Sequence, residues 1–188
     1  MAPAGLDTLW PRYTKPLAST ASLPETLLRT TYLIDTGTQI SLVCSTVNLT
    51  DLQPLDRPLS WASAAQGRCH QATHRATLNL PLEAKDGETH YFAIKGVYYA
   101  EHARLNAVSP TDLYNAGVTF KYQSDEPSDI VVSFKPDGVL KEGQVIWIEK
   151  LPFLPTPALA RVYGRNTANT PLAAAVLGSL RKVRYPEP

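Results

Sequence analysis

Prolines recur along the whole chain, and they constrain the fold more than any other feature of the sequence. The chain of 188 residues has 16 prolines and only 10 glycines. Proline fixes φ and has no backbone N–H, so it interrupts both helix interiors and central strands. The short runs between the prolines are rich in Thr, Val, Ile and Tyr, which is typical of strands. These features predict one mostly β domain with many turns and sheet edges.

The distribution of these runs divides the chain into three parts. Residues 1–26 carry four prolines among small and polar residues, which predicts an extended arm. Residues 27–169 are predicted to form a single antiparallel β-sandwich or jelly-roll-like domain, with a compact barrel as the alternative. Residues 170–188 are predicted to form a C-terminal helix and tail, because Thr170 and Pro171 suit the cap and first position of a helix.

Alternating residues and turn residues locate the strands within the domain. Residues 50–73 and the proline-rich segment 151–157 are predicted to be extended connections. Ser109-Pro110 predicts the start of a short helix, and Gly96 predicts a bulge inside a strand. The strands themselves are predicted at 27–34, 39–49, 74–82, 89–99, 118–123, 129–135, 144–150 and 158–163.

The charge pattern argues against nucleic-acid and membrane partners. The formal net charge is +1, and the densest basic stretch is Arg181, Lys182 and Arg184, which a helix end attracts for dipole reasons alone. No apolar run approaches the roughly 20 residues that span a bilayer. The first ten residues lack the charged and apolar regions of a signal peptide. We therefore expect a soluble protein that is not secreted through a signal peptide.

Cysteines and histidines give little indication of a metal or cofactor site. The candidate zinc ligands are Cys44, Cys69, His70 and His74. Two histidines four positions apart on one strand are separated by roughly 13 Å, too far to bind the same ion. Two cysteines are also too few for a disulfide framework, so buried free thiols are expected. We predict no metal and no cofactor.

The sharpest chemical signal is the segment Leu33-Ile34-Asp35-Thr36-Gly37. It resembles the active-site turn of retropepsins, the dimeric aspartic proteases of retroelements, in which Asp-Thr-Gly follows two apolar residues. The resemblance implies that Asp35, Thr36 and Gly37 are catalytic in a homodimer, where two aspartates share one proton and activate water. Val162-Tyr163-Gly164-Arg165-Asn166 is similar to the second element of that family, two aliphatic residues and Gly-Arg-Asn before a short helix.

A simpler interpretation of the same segment needs no catalysis. Asp and Gly are favoured in tight turns because they tolerate the backbone angles that such turns require. Residues 35–38 lie between two of the predicted strands, at 27–34 and 39–49. The segment is therefore predicted to be the turn of a β-hairpin, with positive φ at Gly37.

The arm and the proline-rich segments favour a protein that holds its neighbours. We expect a non-enzymatic structural or assembly subunit of a virion, such as a capsid decoration, neck or tail protein, located in the virion or the cytoplasm. Its partners would be other copies of itself and neighbouring structural proteins, with neither nucleic acid nor membrane among them. The residues expected at the interface are Trp10, Tyr13, Leu17, Leu23, Pro152, Phe153 and Pro155.

Two other functions remain open at the level of sequence. The aromatic residues of the run 89–99 could form a binding platform, so a glycan- or protein-binding β-sandwich module is the first alternative. A retropepsin-like aspartic protease that uses Asp35 in a homodimer is the second. The oligomeric state separates the three hypotheses, because only the protease requires a two-fold dimer centred on Asp35.

Overall fold

The computed structural model describes residues 24–35, 38–62, 69–103, 105–122, 130–148 and 151–163. Trp10, Tyr13, Leu17 and Leu23 of the predicted arm lie outside these ranges, as do Thr36, Gly37 and the predicted C-terminal helix. Strands dominate the described part and its helices are short, which confirms the β-rich class.

The described part contains eleven strands, three short α-helices and a single 3₁₀ turn at Pro136–Gly138. None of these helices is long and apolar enough to span a membrane. In chain order the helices and strands are α1 (Glu25–Leu28), β1 (Tyr32–Ile34), β2 (Leu42–Val43), β3 (Leu49–Ala62), β4 (Cys69–Glu83), β5 (Thr89–Tyr99), β6 (Asn106–Val108), α2 (Pro110–Asn115), β7 (Thr119–Tyr122), β8 (Ile130–Phe134), β9 (Lys141–Gln144), β10 (Ile146–Ile148), β11 (Leu151–Phe153) and α3 (Pro157–Tyr163).

Eight strands form a large mixed sheet in the order β10-β11-β1-β6-β2-β5-β4-β3, and β7, β8 and β9 form a small antiparallel sheet. Strand β6 is parallel to β1, and β2 is parallel to β5. The prediction of purely antiparallel pairing is therefore wrong. No tight turn joins either pair along the chain, so nothing local imposes the antiparallel direction.

The predicted hairpin around residues 35–38 is also wrong. A hairpin would make β1 and β2 neighbours, but β6 lies between them, with Ala107 opposite both Leu33 and Leu42. The connection from β1 to β2 therefore passes across the end of β6 instead of folding β2 back on β1.

Strands β3 and β4 form a long hairpin where the sequence predicts a connection over residues 50–73. Pro54 and Pro58 lie in β3, which is an edge strand of the large sheet. An edge strand needs hydrogen-bond donors on one side only, so it accommodates proline. The register of the hairpin shifts between Pro54 and Leu59, which is where the second proline lies.

The large sheet is buried on both faces near β1 and β6. On one face Tyr32, Ile34 and Val108 join a core that includes β4 and the small sheet. On the other face Leu33 and Ala107 pack in a second core with residues of β10, β11 and α3. Strand β1 therefore reads as a continuous apolar run, as strands covered on both faces do.

Two short helices replace predicted strand. The predicted strand 27–34 begins as α1, because Pro24 precedes a helical turn in which its carbonyl accepts the N–H groups of Leu27 and Leu28. The predicted strand 158–163 is α3. At its start the Thr156 hydroxyl accepts the Leu159 N–H at 3.4 Å, and Pro157 is the first helical residue.

Candidate functional site

Asp35 directly follows β1, a strand that is held on both edges and both faces. Leu33 pairs with Phe153 of β11 on one edge and with Ala107 of β6 on the other. Tyr32, Leu33 and Ile34 are at most 5% exposed. The core therefore fixes the backbone that leads into Asp35. A residue that must meet another group in a defined geometry needs such rigid support.

The turn that begins at Asp35 is tied to its surroundings on both sides of residues 36–37. The Asp35 N–H donates to the carbonyl of Val108 at 3.1 Å, and the Asp35 carbonyl accepts the Thr38 N–H at 3.4 Å. The Thr38 hydroxyl donates to the Ile40 carbonyl at 2.9 Å. Asp35 is partly buried, so its side chain lies where the core meets the surface. Thr36 and Gly37 themselves lie outside the described residues.

A strand that ends in two apolar residues and is followed by a short helix does lie beside Asp35, but it is not the one that the sequence indicated. Ala107 and Val108 end β6, Ser109 follows, and α2 begins at Pro110. Val162 and Tyr163 instead end α3, while residues 164–166 lie outside the described part. The sequence did not point to this strand and helix, because they are joined by Ser109 and Pro110 and carry no Gly-Arg-Asn.

A hydrogen-bond network joins the residues after the Asp35 turn to α2. The Asp112 carboxylate accepts the Ser41 hydroxyl at 2.6 Å and the Ser41 N–H at 3.2 Å. The Ser41 hydroxyl accepts the N–H of Ser109 at 3.0 Å. Ser41 is 1% exposed and Ser109 is fully buried. No sequence pattern singled out Ser41 or Asp112, because the two lie 71 positions apart.

The buried thiol of Cys44 lies at the end of β2 that is far from Asp35. Cys44 is free, and burial raises the pKa of its thiol. Its Sγ donates to the side-chain oxygen of Asn106 at 3.4 Å. A protonated, buried thiol is a poor nucleophile, and Cys44 is 1% exposed.

The β3–β4 hairpin extends beyond the rest of the large sheet. Strand β5 pairs with β4 only from Glu83 to His74. Beyond that point β4 pairs with β3 alone, out to the pair Cys69 and Ala62. This end of the hairpin is therefore a two-stranded ribbon among the described residues, and such a ribbon is only marginally stable by itself. The connecting residues 63–68 lie outside the described part.

The described interface candidates are covered by the chain itself. Pro152, Phe153 and Pro155 are all buried, and Phe153 is 0% exposed in the core formed with α3. Their apolar character is therefore accounted for without a neighbouring subunit. The remaining interface candidates, Trp10, Tyr13, Leu17 and Leu23, lie outside the described residues.

The aromatic residues of β5 do not form one exposed platform. Tyr91 is 68% exposed, whereas Phe92 packs on the core with its ring 5.1 Å from that of Phe134. Tyr98 and Tyr99 are partly buried. The alternation of the strand sends neighbouring rings to opposite faces, so a flat stack of these rings is not available for a sugar.

The described side chains bring together no group of three or more His, Cys, Asp and Glu residues that could hold a metal ion. The side chains of Cys69 and His70 are outside that description.

The candidate site consists of Asp35, the β6–α2 junction and the Ser41–Asp112 pair, which hydrogen bonds join to one another. No protein-family model matches this sequence, and neither does any curated protein.

Proposed function

We propose that this chain is one subunit of a retropepsin-like aspartic protease, with Asp35 as its catalytic residue. The observation that carries the proposal is the insertion of β6 between β1 and β2. Through this insertion the Asp35 N–H donates to the carbonyl of Val108, the last residue of a strand that leads through Ser109 into a short helix. The resemblance implies a second element of this kind beside the aspartate, so a strand that leads into a helix next to Asp35 supports the proposal.

The chemistry of the proposal requires two copies of the chain. One carboxylate cannot both take a proton from water and donate a hydrogen bond to the scissile carbonyl. In a two-fold dimer, Asp35 and the partner subunit's Asp35 share one proton and do both. Water then adds to the peptide carbonyl, the C–N bond breaks with proton transfer to nitrogen, and a carboxylic acid and an amine result.

Replacement of Asp35 by asparagine tests the proposal. Asparagine is nearly isosteric and keeps the ability to form turns, so Asp35→Asn is expected to fold and to lose all cleavage. The assay is cleavage of a peptide library at about pH 5, near the range where paired carboxyls share a proton, with and without pepstatin. Asp56→Asn, which changes an exposed acid of β3, is the control and is expected to keep full activity.

Mixing wild-type and mutant subunits provides a second test in the same cleavage assay. An excess of the Asp35→Asn chain is expected to suppress wild-type cleavage, because mixed dimers carry only one competent carboxylate. Wild-type protein that forms no dimer in sedimentation, or cleavage that persists in the mutant, contradicts the proposal.

The assembly hypothesis stays a prediction, as does the jelly-roll or sandwich architecture that accompanied it. It expects a larger closed or lattice oligomer and no peptidase activity, so the same sedimentation and cleavage experiments separate it from the protease. A glycan- or protein-binding module can be monomeric and is also inactive in the cleavage assay. The geometry around Asp35 favours neither of these functions over the protease.

A further inference from the structure

Two adjacent residues of the β6–α2 junction hold both ends of the Asp35 turn. The Val108 carbonyl accepts the N–H of Asp35, where the turn begins. The Ser109 N–H donates to the hydroxyl of Ser41, the residue that joins the Asp35 turn to β2. Any displacement of this junction therefore moves both ends of the segment that carries Asp35.

The start of α2 is capped in an indirect manner. In a common arrangement, an acidic residue at the third helical position accepts the backbone N–H of the cap residue. Here Asp112 is that third residue and Ser109 is the cap residue, but the Ser41 hydroxyl lies between them. The Ser109 side chain makes no cap hydrogen bond, and its hydroxyl has no partner among the described residues.

The directions of these hydrogen bonds follow from the protons available. An ionised carboxylate only accepts, so the single hydroxyl proton of Ser41 points to Asp112. The lone pairs of the same oxygen are then free to accept the N–H of Ser109. The Ser41 N–H is also satisfied by Asp112. Withdrawal of Ser41 would leave the buried N–H of Ser109 without its acceptor, which is costly in a site that water does not reach.

We propose that Ser41 and Asp112 are positioning residues that fix Asp35 by completing the cap of α2. The inference rests on the proposed function, because it assigns these residues a role in placing the catalytic carboxylate. Ser41 can cap α2 only when the Asp35 turn is in its observed position. The turn holds that position only when Ser41 bonds to both Ser109 and Asp112. Formation of α2 and placement of Asp35 are thus one event and not two.

Hydrogen exchange in the full chain tests the coupling without any assay of activity. Ser41→Ala is expected to speed exchange of the Ser109 amide and, through the shared junction, of the Asp35 amide, each by roughly tenfold or more. A purely local capping role would change Ser109 alone. The amide of Leu80, in the core, reports global opening and is expected to change less than the other two.

Ser45→Ala is the matched control for Ser41→Ala. Ser45 is also buried, at 8% exposed, and its hydroxyl also accepts a backbone N–H, that of Val47 at 3.2 Å. It lies beyond the far end of β2, so its loss is expected to leave the exchange of Asp35 unchanged. If Ser41→Ala does not fold, Asp112→Asn gives the same comparison, because it removes the charge that orients the Ser41 hydroxyl.

Kinetics supply the second readout. Ser41→Ala is expected to lower kcat about tenfold or more with KM within about twofold, since substrate-binding groups are untouched while the carboxylate is misplaced. An Asp35 amide whose exchange is unchanged in a folded Ser41→Ala or Asp112→Asn protein overturns the inference. A wild-type protein that cleaves nothing refutes the proposed protease, and the exchange result then still decides whether this network positions Asp35.

Discussion

Asn106 shows how one buried polar side chain organises three segments of backbone. It is 1% exposed, and its side-chain oxygen accepts the N–H of Cys44 at 2.8 Å. Its amide nitrogen donates to the carbonyls of Arg29 at 3.1 Å and Thr31 at 2.9 Å. The residue therefore joins the start of β1, the end of β2 and its own strand β6, which is the set of strands that carries Asp35.

Replacement of Asn106 by alanine is expected to lower the free energy of unfolding by about 2–4 kcal/mol. The mutation leaves the buried Cys44 N–H without its acceptor and removes the side-chain donor of the Thr31 carbonyl. A buried polar group that loses its partner costs more free energy than an average hydrogen bond contributes. Urea denaturation at constant pH measures the change. Asn79→Ala is the control. Among the described residues its amide donates to the exposed hydroxyl of Thr50 at 3.4 Å, and a change within about 0.5 kcal/mol is expected.

At the scale of elements, the bulge in β5 adjusts a long antiparallel pair. Ala76 faces Val97 and Thr77 faces Lys95, so Gly96 is the extra residue. Its φ of +77° lies in the left-handed region, which glycine enters without cost. The bulge predicted at Gly96 is therefore confirmed.

Gly96→Ala is expected to destabilise the protein by about 1–2 kcal/mol, the cost of the left-handed conformation for a residue with a Cβ. A Cβ at this position would also lie 2.6 Å from Nη2 of Arg75, a flexible group that can move away. Gly117→Ala is the matched control, since φ is +82° there and nothing lies within 4 Å of its Cβ. Thermal melts of the two variants, with and without Arg75→Ala, separate strain from contact. Equal stability of Gly96→Ala and wild type would contradict the expectation.

At the scale of the whole molecule, the small sheet is attached to the end of β4 by backbone and by charge. The Lys85 N–H donates to the Glu142 carbonyl at 2.7 Å. Lys141 forms ion pairs with Asp86 and Glu88 of the β4–β5 turn. Gly143 approaches so closely that a Cβ there would lie 2.6 Å from the Glu83 carbonyl oxygen. Close packing and exposed charges thus join the same two elements.

The charged part of this junction is expected to depend on pH. Hydrogen bonding to Lys141 lowers the pKa of Asp86, so its contribution is present above the ordinary carboxyl range and is lost as pH falls through the lowered value. Hydrogen bonding to Asp86 and Glu88 raises the pKa of Lys141, so its contribution is lost as pH rises through that higher value.

Lys141→Met is therefore expected to lower the melting temperature slightly between about pH 5 and pH 9 and to converge with wild type at both extremes. Calorimetry across pH measures the difference, which is expected to shrink in high salt because the pairs are exposed. Lys121→Met is the control, since Lys121 is 66% exposed and 3.9 Å from Glu142. A difference that persists unchanged at acidic pH would contradict the assignment to Asp86.

The sequence by itself determined the features that depend on neighbouring residues. The bulge at Gly96, the strand 89–99 and the helix that starts at Pro110 all agree with prediction. Each follows from the backbone preferences of a few consecutive residues, which the sequence shows directly.

Only the tertiary structure decided which distant segments meet. Pro54 and Pro58 read as breaks in the sequence, yet they lie in a strand because that strand is at the sheet edge. Asp35 meets Val108, and Ser41 meets Asp112, across about 70 residues of chain that carry no local mark of the pairing. Long-range pairing is selected by the burial of complete faces and the satisfaction of buried polar groups, which are properties of the assembled core and not of any short stretch of sequence.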